Sequence, residues 1–316
     1  MSTDKSTTLI IDALKSLMKE KLKEATTEIE VNEILKKFDN VDLNNFIAES
    51  YNKISESSMD AMKNTMHEVV MKFRADSQEF LARQEQKWCN AFVASEAMYI
   101  MILESAESYV EYVNGLEDKE IKPKQYTFTA MLHIHGRALQ EFLEIIVLMK
   151  NGLADGAYAR WRSMYELFII SSFITENGEN VAKAYIDSYE VDDNYEWARS
   201  SGKFSMRKKY ITFNDIQRKS NININNWKEE YKLANKIIHS SSQGTFARLS
   251  NFGEDVIPVG RSDYGITMPA EYSAISMSQI TIIFYSIFPY GDGLIAMKNI
   301  NEWVDIVREE YFKVHH

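Results

Sequence analysis

The chain has 316 residues, 45% of them hydrophobic and 26% charged, a composition that excludes disorder over most of its length and supplies ample material for a core. With 46 acidic and 36 basic residues the formal charge is -10, so no general attraction to nucleic acid or anionic membrane follows, and either contact requires a local basic patch. The 12 Gly and 4 Pro leave few turns for a many-stranded sheet, and a single cysteine, Cys89, excludes an intrachain disulfide framework and a Cys-rich zinc site.

These counts predict an all-α protein in a reducing, cytoplasmic setting. The opening MSTDKSTTLIIDALKSLMKE has no basic region followed by a long apolar segment and a small-residue cleavage site, so no secretory signal is expected. The longest apolar runs, such as 280–288, fall well short of the roughly 20 residues that span a bilayer, and no membrane contact is expected. His315 and His316 resemble the stub of an expression tag and are set aside.

In chain order, Leu9, Ile10, Leu14, Leu17, Met18 and Leu22 recur at helical spacing behind Ser6 and Thr7, which predicts an amphipathic helix and a short second one up to about Lys37. From Val41 to Val113 there is no Pro or Gly, and Phe46, Ile54, Met62, Met66, Val70, Phe73, Phe80 and Leu81 follow helical intervals. This predicts long helices, either folded back as a hairpin or extended to meet a partner chain, and residues 1–114 are the expected oligomerisation arm. Gly115 to Lys124 is the expected linker to a body over 125–316. There, helices are predicted for 126–150, stopped by Asn151 and Gly152, for a segment capped by Asp155 and running to Glu176, and for 181–198. Residues 199–219 read as a surface loop. A helix over 225–240 follows, then a small β-hairpin in DVIPVGRSDYGI, then helices near 270–288 and 294–312.

Chemistry concentrates in GAYARWRSMYELFIISSFIT, residues 156–175, whose only charges are Arg160, Arg162 and Glu166. Arg162 and Glu166 are four apart on one face, and that face continues as Ile169, Ile170 and Phe173, so the pair points inward, as a structural ion pair or as a site. Arg160 lies on another face and is expected to be exposed. His133 and His135 are about 200° apart around a helix axis and form no metal pair. Neither HExxH nor ExxH occurs, so no metal and no cofactor is expected. His135 is a core histidine or a site residue, and Arg137 with Glu141 is a surface ion pair or part of that site. His239, in KLANKIIHSSSQG, meets a Ser-rich turn at a helix end, where it either exchanges a proton near neutral pH or complements the helix dipole. No Gly-x-Ser-x-Gly elbow, Walker loop or dinucleotide fingerprint is present. The 199–219 segment sets Arg199, Lys203, Arg207, Lys208, Lys209, Arg218 and Lys219 against Asp215 alone. Phe204, Tyr210 and Phe213 lie among these cations, a mixture suited to RNA or to a solvated loop.

With RSMYE at 162–166, KIIHSS around His239 and His135 on the preceding helix, the chain resembles a bacterial helical domain family of unknown function over roughly residues 125–245. More distantly, it resembles the HEPN nucleases, in which an arginine and a histidine cleave RNA without metal. That resemblance implies a metal-independent ribonuclease acting as a toxin or phage-defence effector. The HEPN arginine position is Ala234 here, followed by Asn235 and then His239. Arg162 would therefore stabilise the phosphate, His239 would transfer the proton, and Glu166 would orient one of them, with RNA held by Lys203, Arg207, Lys208 and Lys209. Two other functions fit the sequence. One is a non-catalytic homo-oligomeric adaptor, and the other is a small-anion pocket lined by Arg162, Glu166, Tyr165 and His135.

Overall fold

The structure, a computed structural model, describes residues 5–23, 25–37, 40–191, 195–222, 227–238, 242–246, 248–250 and 257–315. It is all-α, and the described residues form no strand. The chain divides into two compact units, Met1–Gln78 and Glu79–His316.

In the first unit, α1 (Lys5–Leu22) and α2 (Glu28–Lys37) precede the start of α3 (Asn40–Asn114). The Glu30 carboxylate accepts from the Thr26 and Thr27 amides at 2.8 and 3.0 Å, which satisfies donors that the first turn of α2 would leave unpaired. The uninterrupted 41–113 stretch is one helix with no hairpin in it, because neither Pro nor Gly breaks the backbone ladder. The linker expected at 115–124 is itself mostly helical, with α4 (Asp118–Ile121) and a 3₁₀ turn at Lys122–Lys124, whereas the compact units divide inside α3.

The second unit is built on α5 (Gln125–Lys150), α6 (Ala154–Asn177), α11 (Thr267–Tyr285) and α12 (Gly291–His315). Its core includes Met131, Ile145, Trp161, Phe173, Met277 and Phe284, all buried. The part of α3 that belongs to this unit is held by polar anchors. Tyr109 donates to the Phe284 carbonyl at 3.0 Å and accepts from the Phe288 amide at 3.0 Å, and the Trp303 indole donates to the Ala94 carbonyl at 2.9 Å. Such pairing removes the cost of burying those groups.

The turn between α5 and α6 falls at Asn151 and Gly152. Gly152 has φ +68, and a Cβ there would lie 2.6 Å from the Phe80 ring and from the Ser262 carbonyl oxygen, so no other residue fits. Asp155 does not cap α6, since Leu153 holds that position. Its carboxylate instead accepts from the Leu249 amide at 2.8 Å, the Ser250 hydroxyl at 2.6 Å and Arg248 at 3.3 Å. Within 257–266 the Ser262 amide donates to the Gly152 carbonyl at 2.9 Å and the Pro258 carbonyl accepts from Arg248 Nη1 at 2.7 Å, so these backbone groups are paired outside a hairpin. The expected hairpin is accordingly absent over 257–266, and its residues 255–256 lie outside the described residues.

α7 (Glu179–Asp187) is shorter than the predicted 181–198 helix and gives way to 3₁₀ turns at Ser188–Glu190 and Glu196–Ser201. The 199–219 segment is not a plain surface loop. Thr212 and Asp215 form a capping box that opens α8 (Phe213–Lys219), and Phe204, Ile211, Phe213 and Ile216 are buried. α9 (Lys228–Ile238) and α10 (Ser242–Phe246) complete the unit. No helix among the described residues is long and apolar enough to cross a membrane.

Removing the Asp155 carboxylate leaves the Leu249 amide and Ser250 hydroxyl without their partner. Asp155→Ala is expected to lower stability by about 1–3 kcal/mol in urea denaturation, and Arg261→Ala, at an exposed contact to Asn151, to cost less.

Candidate functional site

Four side chains from two helices meet beside the core. On α6, Trp161, Met164 and Tyr165 turn inward and are buried, while Arg162 and Glu166 lie one helical turn apart on the adjoining face that α9 covers. The Arg162–Glu166 contact is 2.8 Å, with side chains 28% and 20% exposed, so the pair is half-buried rather than sealed. From α9, Asn235 Oδ1 accepts from Arg162 Nε. Tyr231 lies four residues earlier on the same face. Its hydroxyl donates to Glu166 Oε1 at 2.7 Å and accepts from Arg162 Nη2 at 3.4 Å, and its ring centre is 5.5 Å from the guanidinium carbon. Arg162 Nη1 makes no hydrogen bond among the described residues. Burial, reinforced by the Glu166 carboxylate, pushes the Tyr231 phenol well above its ordinary value, so it stays protonated and remains a donor. The Tyr195 phenol is raised by burial, and Glu166 and Arg162 act on it in opposite directions.

His239 lies outside the described residues. In the sequence it follows Asn235 by four positions. His135 does not meet the Arg162 group. It is buried against α11, with Nε2 3.1 Å from Thr281 Oγ1 and its ring 4.9 Å from that of Phe284. Burial lowers its pKa to about 3, so it is neutral at working pH. Tyr165 is fully buried and its hydroxyl accepts from Gln217 Nε2 at 2.7 Å. The anion pocket expected from Arg162, Glu166, Tyr165 and His135 is thus not assembled from those four, because two of them belong to the core.

The basic segment is partly neutralised. Arg199 contacts Glu196 and donates to the Ser205 and Lys208 carbonyls, and Lys208 lies 2.7 Å from Asp215, holding that carboxyl down at about 2. Lys203 donates to the Lys219 carbonyl at 3.3 Å. Lys209 lies over the Tyr210 ring at 5.1 Å, and Arg207 is exposed. Of the three aromatics, Tyr210 alone is exposed, because Phe204 and Phe213 are core residues.

A second charged group surrounds Glu141, which the sequence paired with Arg137 at the surface or in the site. Glu141 is fully buried, and its Oε1 accepts from Arg137 Nε and Ser163 Oγ, both at 2.9 Å, with Arg160 Nη1 at 3.9 Å. Arg160, expected to be exposed, is partly covered, and its Nε contacts Glu144 at 2.7 Å. Burial raises the Glu141 carboxyl despite its partners. Glu141 with Ser163 therefore links α5 to α6, while Arg137, four residues before Glu141 on α5 and 48% exposed, caps the buried carboxylate from the surface. The signal for the burial of Glu141 was its place on the face of α5 that also carries Ala138, Phe142 and Ile145. For Tyr231 and Asn235 the signal was their four-residue spacing on one face of α9. Among the described residues, no three His, Cys, Asp or Glu side chains are grouped to hold a metal ion.

A family of unknown function, DUF5677, matches residues 128–200. The match takes in His135, Arg162, Tyr165 and Glu166 and ends before α9, so it is shorter than the 125–245 resemblance read from the sequence. No curated protein and no solved structure matches the chain.

The His135 geometry has a pH consequence. Its protonated form is disfavoured only in the folded chain, so the unfolded chain binds the extra proton between about pH 6.5 and pH 3. The neutral histidine's contribution is fully present above pH 6.5 and is lost as pH falls toward 3, by at most about 1.4 kcal/mol per pH unit. Urea denaturation at pH 7, 6 and 5 is expected to show a steeper loss for the wild type than for His135→Asn.

Proposed function

We propose that the chain is a metal-independent ribonuclease of HEPN-like type, with its site at the α6–α9 contact. The observation that carries this reading is the bond from Arg162 to Asn235. The HEPN-like arginine is absent at position 234, and the guanidinium that reaches this stretch of α9 comes from Arg162 on the neighbouring helix. Glu166 and Tyr231 fix its orientation, and Nη1 remains to meet a phosphate oxygen.

In this reading the ribose 2′-oxygen attacks the adjacent phosphorus and the bond to the 5′-oxygen breaks, leaving a 2′,3′-cyclic phosphate and a 5′-hydroxyl. His239 takes the 2′-hydroxyl proton or supplies one to the leaving oxygen, and Arg162 offsets the charge that builds on the phosphate. Glu166 acts through Arg162 as a positioning residue. The exposed Arg207 and Lys209 contribute sequence-independent attraction to the backbone. A role as a toxin or phage-defence effector goes with this reading.

Incubation of total RNA with the purified protein in EDTA tests it. Wild type is expected to cleave, His239→Ala to lose about 10²–10⁴-fold in rate, and Arg162→Ala about 10²–10³-fold, all with unchanged helical circular dichroism. Intact RNA with wild type, or wild-type cleavage by His239→Ala, would refute the proposal.

A further inference from the structure

The middle of α3 is bare on every side, since each residue from Ser55 to Asp76 is exposed. A single helix free of tertiary contacts is normally polar all round. This one is not. Met59, Met62, Met66, Val69 and Phe73 are 46% to 69% exposed and follow spacings of three, four, three and four residues, which align them as one seam along the helix. A seam of that period fits another helix rather than a flat surface or a small ligand.

The charges beside the seam select which helix. Glu56 and Arg74 are 18 residues apart, five full turns, and so lie on the same side of the seam. An antiparallel pairing with a second copy, two-fold symmetric about Met66, preserves that side and sets Glu56 of each chain near Arg74 of the other. It also places Met66 on Met66, Met59 on Phe73, and Met62 on Val69 and Val70. A parallel, in-register pair would instead bring Arg74 toward Lys72 of the other copy, two like charges. The isologous arrangement needs nothing but the chain's own surface, and the three methionines can adapt to one another across the axis.

We infer that residues 55–76 of α3 form an antiparallel homodimer seam centred on Met66. The inference is independent of the ribonuclease reading, and either can fail alone. Its test uses the full chain with Cys89, which is exposed, replaced by Ser. Light scattering is expected to give twice the mass of one chain, falling to one for Met62→Glu combined with Met66→Glu. Glu56→Arg is expected to weaken the dimer at least severalfold, and adding Arg74→Glu to restore it. Under mild oxidation Met66→Cys is expected to form a disulfide-linked dimer, Phe73→Cys alone to form little, and Met59→Cys with Phe73→Cys to link efficiently. A monomeric parent chain at micromolar concentration would overturn the inference, as would Phe73→Cys linking to itself as readily as Met66→Cys, which indicates parallel pairing.

Discussion

The half-buried guanidinium of Arg162 is the constraint around which the α6–α9 contact of the second unit is arranged. A charge placed beside Trp161 and Tyr165 loses much of its hydration and has to regain hydrogen bonds and an opposite charge from its neighbours. Glu166 supplies the charge from the same helix. Tyr231 and Asn235 supply oxygen acceptors from α9, so the solvation of one arginine holds that helix to α6 together with the Tyr158 hydroxyl, which donates to the Glu230 carbonyl, and the buried Ala234. Tyr231 serves twice, accepting from the cation and donating to the anion, and its protonated phenol keeps the arrangement intact across the physiological range.

The same economy recurs at Glu141, where one buried carboxylate oxygen binds Arg137 and Ser163 and so ties α5 to α6. The two charged groups differ in exposure. Glu141 is sealed, its Oε1 completing a helix–helix contact while its Oε2 is buried without a hydrogen-bond partner among the described residues, which suits rigidity. Arg162 stays partly exposed with one nitrogen uncommitted among the described residues, which suits recognition of an anionic substrate. That difference in exposure, rather than the residue types, separates a structural ion pair from a candidate site.

How much of this was legible in the sequence follows from what periodicity records. The helices from α5 to α6 could be placed because Asn151 and Gly152 stop one and an apolar run restarts the next. The all-α class followed from the scarcity of Gly and Pro. Asp155 misled, because an acid in a first turn reads as a cap until a distant segment is seen to claim its carboxylate. The basic stretch also misled. Its aromatics look available to stack on bases, yet Phe204 and Phe213 are buried by contacts with residues far away in the chain. His135 was open between core and site, and only its burial against Thr281 and Phe284 decides it. Tyr231 and Asn235 carried a spacing but no motif, so their meeting with Arg162 required the fold. The bare seam of α3 was visible as helical periodicity, but its exposure was not.

The central claim is that the Arg162–Asn235 contact marks a site where a ribose hydroxyl attacks its own phosphate. Mass spectrometry of the fragments from a defined RNA cut in EDTA tests it most directly, alongside the same RNA carrying a 2′-deoxy sugar at each cleaved position. The account predicts 2′,3′-cyclic phosphate and 5′-hydroxyl ends from the first and no cutting of the second. Fragments with 3′-hydroxyl ends, or equal cutting of the deoxy substrate, would contradict it.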